Sequence, residues 1–386
     1  MRVVGVGTFW SPSKPYAGNF AVAGFKKLQN YADIKLINLR AMKPGRKFIE
    51  ETEIHGIPTI HLSIPQVPGN QLISYALSKA SIRFIKPLIA DFDLIHTVGC
   101  FIQTGILFSQ ICKSAGKHHL VQLVGSDVNI FLKKYHANKA LNGWERNVHA
   151  VASVSKDTLE KFRELYPNVP NMRTVYRGVD LNRFNKIDKD QRIDFNKIEF
   201  LFLGGFLSVI RNDKGGELIK SIWKANEDFF VEHNAFLTLA GIESDDAANK
   251  QWLITLKHPE RVRLLGIVDP DDIPKTTGSA DVLLVPSLME GLPNVVMEAA
   301  AGGLPTIATN VGGIPEIVIN NETGILLDNR EQITWQQAMQ DCCINIDRYR
   351  NMGKAARIHM ESHFNAENYP LEIYDLYKQA LSVPIK

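Results

Sequence analysis

One pattern of alternating apolar and amphipathic segments occurs twice along the chain, and it restricts the fold more than any other feature of the sequence. Short, continuous apolar runs alternate with longer amphipathic segments up to about residue 184, and the same alternation restarts near residue 199. Continuous apolar runs are typical of strands buried on both faces. Because strand–helix–strand units form parallel sheets with right-handed crossovers, the sequence predicts an α/β fold of two doubly wound domains facing across a cleft.

The expected elements divide at a polar segment, residues 185–196, which predicts a linker. The predicted strands of the first half are Arg2–Val6, Ile34–Leu39, Thr59–Leu62, Leu94–Thr97, Leu120–Leu123 and Ala150–Val154, with helices at Asn19–Asn30, Gln71–Ala90 and Gly105–Ser114. The predicted strands of the second half are Glu199–Leu203, Ala235–Ala240, Val262–Leu265, Val282–Val285, Thr306–Ala308 and Gly324–Leu327, with helix after Gln332. Domains at 1–185 and 186–365 follow, as expected for 386 residues.

Charge is distributed unevenly between the two halves. Residues 1–185 hold 24 Lys and Arg against 12 Asp and Glu, a net charge of +12, and the remainder holds 20 against 29, a net charge of −9. Helical spacing places Lys79, Arg83 and Lys86 on one face. Such a basic half is compatible with an ordinary solvated surface, with docking to an anionic membrane or with a phosphate-bearing acceptor. No nucleic-acid-binding motif accompanies the charge, so nucleic acid is not an expected partner.

Other features favour a cytoplasmic protein. The cysteines show neither zinc nor redox spacing, so neither a metal site nor a disulfide framework is expected: they are Cys100, Cys112, Cys342 and Cys343. No apolar run reaches the length of about 18 residues that a membrane span needs. The apolar start breaks at Gly5 and Gly7, which indicates a first strand in place of a signal peptide.

The most informative segment is Pro286–Glu316, PSLMEGLPNVVMEAAAGGLPTIATNVGGIPE. A strand ends at its start, a loop containing Gly and Pro follows, and Asn294 is a good N-cap for a helix over Val295–Ala301. The amides of Val295 and Val296 should lack partners within the helix. They are therefore predicted to receive phosphate oxygens.

Two glutamates flank the start of this helix. Glu290 precedes it and Glu298 lies about one turn inside it, so both can face the same cleft. One carboxylate can hold sugar hydroxyls and the other ribose hydroxyls. Taken singly, Glu290 could be an exposed loop acid and Glu298 could merely favour the helix N-terminus.

The whole pattern resembles the signature of the retaining glycosyltransferases of family 4, which have the two-domain GT-B fold. The resemblance rests on three features: the two glutamates that flank Gly-Leu-Pro-Asn, the following Gly-Leu-Pro, and the final Val-Gly-Gly-Ile-Pro-Glu. The resemblance implies that Glu298 holds the donor ribose and that Glu290 contacts the transferred sugar. It also implies donor binding by the main chain between the glutamates, at Gly291, Leu292, Asn294, Val295 and Val296.

Weaker matches extend the resemblance. In Phe202–Gly216, Lys214 matches the family's diphosphate-binding lysine, but Gly205 or Phe206 stands at the family's arginine position, so Arg211 is the candidate substitute. The remaining matches are Gly18, left from a Gly-Gly pair beside the donor phosphates, and Val268, in the stretch that contacts the base.

The first half matches less well. His96 lies in an Asp-x-x-His strand and is expected mainly to pack or hydrogen-bond within the fold. Asp127 matches the Asp of the family's His-Gly-x-Asp loop, in which Val124 replaces the histidine. Two roles are possible for Asp127, an acceptor-side catalytic function and loop capping. Arg177 replaces the Asn of an Asn-Gly-Val-Asp segment that closes the first domain.

The resemblance implies a retaining transferase that uses a nucleotide-sugar donor, most often a UDP-sugar, without cofactor or obligatory metal. Saccharide or lipid-linked acceptors in surface polysaccharide or glycolipid assembly are expected, with the first domain on the acceptor side. A helix at about 366–386 should cross back to that domain. Acceptor determinants are expected within residues 40–90, where Leu72–Ile89 is open between a buried helix and a segment that touches a membrane.

Rival functions are distinguishable. A nicotinamide dehydrogenase lacks its third glycine after Gly5 and Gly7. Metal-dependent glycosyltransferases use Asp-x-Asp, but the two matches, at 91–93 and 188–190, flank a strand and lie in the linker. A nucleotide-sugar 2-epimerase with the same architecture would consume donor without acceptor. A non-catalytic nucleotide-sugar-binding protein would bind donor and never turn it over.

Overall fold

The structure is a computed structural model that describes residues 1–9, 19–66, 70–184, 197–206 and 213–385. The chain divides into two compact units. Unit 1 comprises Met1–Arg177 and Glu367–Lys386, and unit 2 comprises Gly178–Ala366. The expected linker at 185–196 lies outside the described residues. The division falls before the expected boundary at 185 because Val179 pairs with Asn365 and donates its N–H to the Phe364 carbonyl, 2.9 Å away.

Unit 1 is built on an eight-stranded sheet. Its strands are β1 Arg2–Gly7, β2 Asp33–Ala41, β3 Ile49–Ile54, β4 Ile57–Ile64, β5 Leu94–Val98, β6 His118–Leu123, β7 Ala150–Ser153 and β8 Met172–Thr174. They lie in the order β3-β4-β2-β1-β5-β6-β7-β8, and β3 runs antiparallel to β4 while every other pair is parallel. The sheet reverses its order between β1 and β5, which is the switch point of a doubly wound sheet.

Helices cover both faces of this sheet. They are α1 Asn19–Leu28, α2 Gln71–Lys79, α3 Ile82–Ile85, α4 Leu107–Ala115, α5 Lys133–His136 and α6 Lys156–Leu165; short 3₁₀ or π turns occupy Lys86–Ile89, Ile102–Ile106, Asp127–Leu132, Lys139–Leu141 and Trp144–Asn147. One core joins β-strand residues such as Ile34 and Leu36 to Phe25 of α1 and to Ile373 and Tyr377 near the C-terminus. The other core lies under the remaining helices.

Unit 2 has a six-stranded, wholly parallel sheet. Its strands are β9 Ile198–Leu203, β10 Ala235–Ala240, β11 Val262–Gly266, β12 Val282–Val285, β13 Thr306–Thr309 and β14 Gly324–Leu327. They lie in the order β11-β10-β9-β12-β13-β14, which again reverses once, between β9 and β12. The prediction of two doubly wound parallel-sheet units is confirmed.

The helices of the second half follow the sheet and then return to unit 1. They are α7 Gly216–Ala225, α8 Glu227–Glu232, α9 Ala247–Ile254, α10 Ile273–Gly278, α11 Asn294–Ala301, α12 Ile314–Ile317, α13 Gln332–Ile344, α14 Ile346–His363 and α15 Tyr369–Ser382, with 3₁₀ turns at Leu181–Phe184, Pro259–Arg261 and Pro270–Asp272. Only α15 belongs to unit 1. No helix among the described residues is long and apolar enough to cross a membrane.

A buried histidine fastens α15 to the sheet of unit 1. His96 of β5 accepts a hydrogen bond at Nδ1 from the Tyr377 hydroxyl, at 2.8 Å, and its Nε2 lies 3.2 Å from Gln122 Oε1. Tyr369 donates its hydroxyl to the same amide oxygen, at 3.3 Å. Burial lowers the pKa of His96 to about 3, so the ring is neutral and structural.

Two expectations about elements were wrong in detail, whereas the C-terminal region is helical as expected. The strands β3 and β8 were not predicted, because β3 is a largely acidic edge strand, IEETEI, and β8 has only three residues. The helix expected over 71–90 breaks after Ala80 into α2, α3 and a 3₁₀ turn, and Pro87 prevents its continuation. The C-terminal helical region is divided into three helices.

Candidate functional site

The predicted donor residues converge at the switch point of the second sheet. Because all six strands of unit 2 are parallel, the loops after β9, β11, β12, β13 and β14 leave from one edge. Ligands of doubly wound sheets bind at this edge, in the crevice between the two strands where the order reverses. Here those strands are β9 and β12, and they are followed by the loops that carry Lys214 and Glu290.

Lys214 and Glu290 form an ion pair at this crevice. Lys214 Nζ donates to Glu290 Oε1 over 2.7 Å, and the same oxygen accepts the Ser287 hydroxyl at 2.7 Å. The glutamate side chain is only 12% exposed, whereas that of the lysine is 35% exposed. The carboxylate is therefore fixed from two sides, while the ammonium group reaches solvent. Sequence reasoning did not identify Ser287 as the group that orients Glu290.

Close main-chain contacts hold these loops. Leu288 donates its N–H to the Asp213 carbonyl at 2.7 Å, and Gly313 donates to the Gly291 carbonyl at 2.8 Å. Gly312 has a φ of +56°, and a Cβ there would lie 2.0 Å from the Glu290 carbonyl oxygen. The Glu290–Gly291 backbone is thus wedged between the loop after β9 and the turn after β13, with no room for a side chain at residue 312.

Helix α11 begins one residue earlier than predicted. Pro293 precedes it as the capping residue, so Asn294 is the first helical residue and is not the N-cap. Val296 donates its N–H to the Pro293 carbonyl at 3.2 Å, which corrects the prediction that this amide would be available to a phosphate. Among the described residues Val295 N–H has no such partner, so it is the amide of this pair that can receive an anion.

Glu298 lies one turn further along α11 and is half-buried. Burial raises the pKa of its carboxyl to about 7, and the positive charge of Arg183 acts in the opposite direction. Arg183 also donates to the Pro270 carbonyl, at 2.6 Å, in the loop that follows β11 and Val268. The sequence did not indicate this arginine as a neighbour of Glu298.

A second basic residue borders the lysine loop. Arg330, after β14, points at Gly215, whose Cβ would lie 2.8 Å from one of its guanidinium nitrogens. Burial lowers the pKa of Arg330, and the charge of Asp213 opposes that shift. Sequence reasoning missed Arg330 because it lies more than a hundred residues from Lys214.

Some predicted residues cannot be placed here. Gly18 and Arg211 lie outside the described residues. Phe206, which with Gly205 is one of the two candidates for the family's arginine position, packs its ring against Phe202 at a centroid distance of 5.5 Å. Its neighbour Gly216 has no space for a Cβ because of this ring. Within the described ranges, no three His, Cys, Asp or Glu side chains are grouped as metal ligands.

Asp127 of unit 1 caps a loop and is fully buried. Its carboxylate accepts the N–H groups of Cys100 at 2.7 Å, Val124 at 3.1 Å and Val128 at 3.0 Å, and also that of Gly125. Burial raises the pKa of this carboxyl against the effect of those donors. A catalytic function in contact with the acceptor therefore does not fit its position, and loop capping does.

Unit 1 has a cavity of about 1160 Å³ that extends from the ends of β1 and β5 over β2, β3 and β4. Thr8 and Phe9 after β1 and Gln103 after β5 contribute to its walls. Its floor is a polar network in which Asn38 Oδ1 accepts Phe9 N–H at 2.8 Å and Asn38 Nδ2 donates to His61 Nδ1 at 3.1 Å. His61 Nε2 therefore donates to Thr52 Oγ1, at 2.6 Å, and burial together with the charge of Arg40 lowers the pKa of His61.

Cations stand beside this network. Arg40 pairs with Glu50 at 2.8 Å, and Arg46 donates to the Ala41 carbonyl at 2.9 Å. Lys43 and Arg46 belong to the cavity wall and are exposed. The cavity thus offers neutral hydrogen-bonding groups on its floor. Its wall carries Lys43 and Arg46 together with two acids, Glu50, which is paired with Arg40, and Glu53.

Two doubly wound parallel-sheet units, each with polar groups at its switch point, define the class of GT-B proteins. Residues 184–359 of the chain match the family of glycosyl transferases group 1. It is 38% identical over 158 residues to D-inositol 3-phosphate glycosyltransferase of Corynebacterium diphtheriae, covering 40% of this chain and 37% of that protein. It is 24% identical over 264 residues to N-acetyl-alpha-D-glucosaminyl L-malate synthase of Bacillus anthracis, covering 67% of each.

Solved structures agree on the fold along nearly the whole chain. Sucrose-phosphate synthase from Thermosynechococcus elongatus superposes with a TM-score of 0.72 at 18% identity, covering 98% of both chains. HepE of Anabaena in complex with UDP superposes with a TM-score of 0.74 at 16% identity, covering 98% of this chain and all of that one. By contrast, the chain spans little more than a third of the length of the D-inositol 3-phosphate glycosyltransferase.

Proposed function

We propose that this protein transfers a sugar from a nucleotide-sugar donor to an acceptor, with a UDP-sugar as the favoured donor. The observation that carries the proposal is the Lys214–Glu290 pair at the β9–β12 crevice, beside the start of α11. The fold neighbour HepE has been solved with UDP and with UDP-glucose, which supports UDP as the first base to test.

The site supplies the electrostatics that such a transfer needs. The Lys214 ammonium group and the Val295 amide offer positive charge to the leaving diphosphate, and Glu290 accepts hydroxyls of the transferred sugar. Glu298 accepts the ribose hydroxyls. Because a lysine and a helix N-terminus can neutralise a diphosphate, the proposal includes no obligatory metal and no cofactor. It also includes retention of the anomeric configuration, as the motif resemblance implies.

The acceptor is proposed to occupy the cavity of unit 1. Its hydrogen-bonding floor suits the hydroxyls of a saccharide, and Lys43 and Arg46 suit an anionic group on the same molecule. The names of two relatives contain D-inositol 3-phosphate and L-malate, which are both anions. We therefore place a saccharide or lipid-linked acceptor here, in surface polysaccharide or glycolipid assembly on the cytoplasmic face of a membrane.

A panel of nucleotide sugars, screened by thermal shift and turnover without acceptor or metal, tests the donor part. Stabilisation by one donor and its free diphosphate, with slow hydrolysis at most, is the expected result. Conversion of the donor into another sugar nucleotide would show an epimerase instead. No response to any donor would contradict the proposal, and donor binding without turnover even when acceptors are added would show a non-catalytic nucleotide-sugar-binding protein.

An acceptor test then uses Arg46→Ala with the donor so identified. We expect the KM for an anionic acceptor to rise about tenfold while the dissociation constant of the donor stays unchanged, because one charge-assisted hydrogen bond is lost. Lys113→Ala, a basic residue of the same unit outside the cavity, is the matched control. Equal KM values for both variants would remove the cavity from the acceptor site.

A further inference from the structure

Helix α2 is inverted relative to an ordinary surface helix. Its buried face consists of Ser74, Tyr75 and Ser78, whereas Leu72, Ile73 and Leu77 point outward with 43%, 47% and 45% of their surface exposed. Surface helices of globular proteins turn their apolar side toward the core. Since α2 does the opposite, folding of unit 1 alone does not account for its apolar face.

The inner face of α2 is held by polar contacts. Tyr75 of that face accepts a hydrogen bond from the side chain of Gln110 on α4, and Ser78 donates to the Pro65 carbonyl at 3.2 Å. Asn70 caps the helix by accepting the N–H of Ile73 at 3.0 Å. These contacts prevent α2 from rotating about its axis. Leu72 and Leu77 are therefore held on the outward face.

Exposed apolar side chains also occur in α3, which follows α2 in the chain, and in the β2–β3 loop. Phe84 of α3 is 49% exposed. The centre of its ring lies 5.7 Å from that of Phe48, the last residue of the β2–β3 loop. Met42, in the same loop, is 46% exposed. Large contiguous apolar patches on soluble proteins mark interaction sites, whereas single exposed residues do not.

The two chain segments that form this patch, residues 70–90 and 42–48, carry positive charge and no negative charge. Residues 70–90 contain Lys79, Arg83 and Lys86, residues 42–48 contain Lys43, Arg46 and Lys47, and neither segment contains an Asp or Glu. Among these, the guanidinium group of Arg83 lies over the Phe84 ring at 4.6 Å. Lys79 similarly lies 4.9 Å from the centroid of Tyr75.

This combination selects among the possible partners. A second copy of the chain, packed through the same patch, would bring two sets of cations together, and the nearby acids Glu50 and Glu51 of β3 are already paired with Arg40 and Lys35. A nucleic acid would match the cations but not the aliphatic side chains. An anionic bilayer matches both, because lysines and arginines attract its headgroups while leucine, isoleucine and phenylalanine enter the acyl boundary.

We propose that α2, α3 and the β2–β3 loop form a docking surface for an anionic lipid bilayer, in which Leu72, Ile73, Leu77 and Phe84 insert among the lipids and the surrounding cations bind the headgroups. The proposal rests on the membrane partner of the proposed function and assigns that partner to one surface. It is independent of the donor site, which lies in unit 2.

Vesicle sedimentation tests the surface. Wild-type protein is mixed with vesicles of phosphatidylglycerol and phosphatidylcholine, and with vesicles of phosphatidylcholine alone, at low and high salt. We expect binding to the anionic vesicles. Replacement of Lys79, Arg83 and Lys86 by Gln should weaken this binding about 100-fold at low salt, since each basic residue near an anionic surface contributes about fivefold. The double variant Leu72→Ser/Leu77→Ser should weaken it about tenfold at either salt concentration.

Two matched controls separate the surface from general charge and hydrophobicity. Replacement of Lys133, Lys134 and Lys139 by Gln removes the same charge from another part of unit 1. Ile333→Ser/Ile344→Ser removes two exposed apolar side chains from α13. Both controls should bind like wild type. Because all the substituted side chains are exposed, thermal unfolding should show that every variant is folded.

The outcomes are distinct. Equal loss of binding in the variants and their controls, or unchanged binding of Leu72→Ser/Leu77→Ser, would overturn the proposal. A wild-type dimer that becomes monomeric in the leucine variant, without vesicle binding, would overturn it in favour of self-association. Thermal stabilisation by UDP, measured on the same variants, reports the donor site separately. A chain that docks as expected but responds to no nucleotide would refute the proposed transfer and leave the docking surface standing.

Discussion

At the scale of single residues, the position of Glu290 governs the chemistry we propose. One of its oxygens accepts both the Lys214 ammonium group and the Ser287 hydroxyl. A donor diphosphate that binds Lys214 competes with this carboxylate for the same cation. The pair can therefore keep the lysine in place before the donor arrives and release it toward the phosphate afterwards.

Lys214→Ala should reduce kcat/KM by about 100-fold to 1000-fold, because a positive charge on the leaving diphosphate is lost. The free energy of unfolding should change by no more than about 1 kcal/mol, as is typical of ion pairs that reach solvent. Steady-state kinetics and urea unfolding check both values. Lys250→Ala, on an exposed position of α9, is the control, and an equal loss of activity in that variant would refute the assignment.

Glu298 gives a pH dependence whose sign follows from its raised pKa. The folded state binds this proton more tightly than the unfolded chain does, so stability falls as pH rises from about 4.5 to about 7. The loss is complete above that range and amounts to about 3 kcal/mol at most. Glu298→Gln should remove it, so the variant gains stability over wild type as pH rises from 5 to 8 while binding donor less tightly.

Urea unfolding at several pH values measures this gain, and the exposed Glu322→Gln should follow wild type. A constant difference between Glu298→Gln and wild type at all pH values would show that the carboxyl does not titrate in this range. Unchanged donor affinity in the same variant would instead disprove the ribose assignment.

At the scale of elements, the site depends on how closely its loops approach each other. Gly312→Ala should destabilise the protein by about 2–4 kcal/mol and abolish donor-induced stabilisation, because the new Cβ would displace the Glu290 carbonyl. Gly45→Ala is the matched control: its φ is also positive, +76°, but no atom lies within 4 Å of the added Cβ. That variant should lose only about 1–2 kcal/mol from backbone strain. Thermal shift with and without UDP distinguishes the two, and equal behaviour would contradict the close-contact argument.

The loops of unit 1 depend similarly on Asp127. Asp127→Asn replaces an oxygen that accepts N–H groups with an amide that donates, so about 2–4 kcal/mol of stability should be lost. The exposed Asp91→Asn should lose less than about 0.5 kcal/mol. Chemical denaturation measures both. If instead stability were unchanged and only acceptor turnover fell, direct contact with the acceptor would be the better account.

The elements also show what sequence reasoning can and cannot reach. The buried strands were predicted to within about two residues, because their continuous apolar runs are too short for helices and are bounded by polar or glycine-containing segments. Strand β3 and the inverted face of α2 were not, since edge position and helix orientation depend on tertiary neighbours. The N-terminus of α11 shifted by one residue, and of the two amides predicted to lack helical partners, that of Val296 is bonded to Pro293 and that of Val295 remains. The motif indicated Glu290 and Glu298 as site residues, whereas Arg183 and Arg330 are distant in sequence and become neighbours of the site only in three dimensions.

At the scale of the whole molecule, unit 1 is completed by the last helix of the chain. Tyr369, Ile373 and Tyr377 of α15 are almost wholly buried in its core, beside His96. Truncation after Ala366 should therefore unfold unit 1 and leave unit 2 folded. Limited proteolysis should yield a stable fragment near Gly178–Ala366 and none from the first 177 residues. Removal of only residues 383–386, which lie beyond α15, should leave both units resistant, and protection of unit 1 in the longer truncation would contradict this dependence.

The chain leaves unit 1 after Arg177 and returns to it at Glu367. This connectivity sets the order in which the two units can fold during translation. All residues of Gly178–Ala366 are synthesised before α15 exists, which takes roughly 10 to 40 s at about 5–20 residues per second. During this interval the sheet of the first unit has no cover over the patch that Tyr377 and Leu376 later occupy. The second unit can fold first, while the nascent first unit presents apolar surface to chaperones until translation ends.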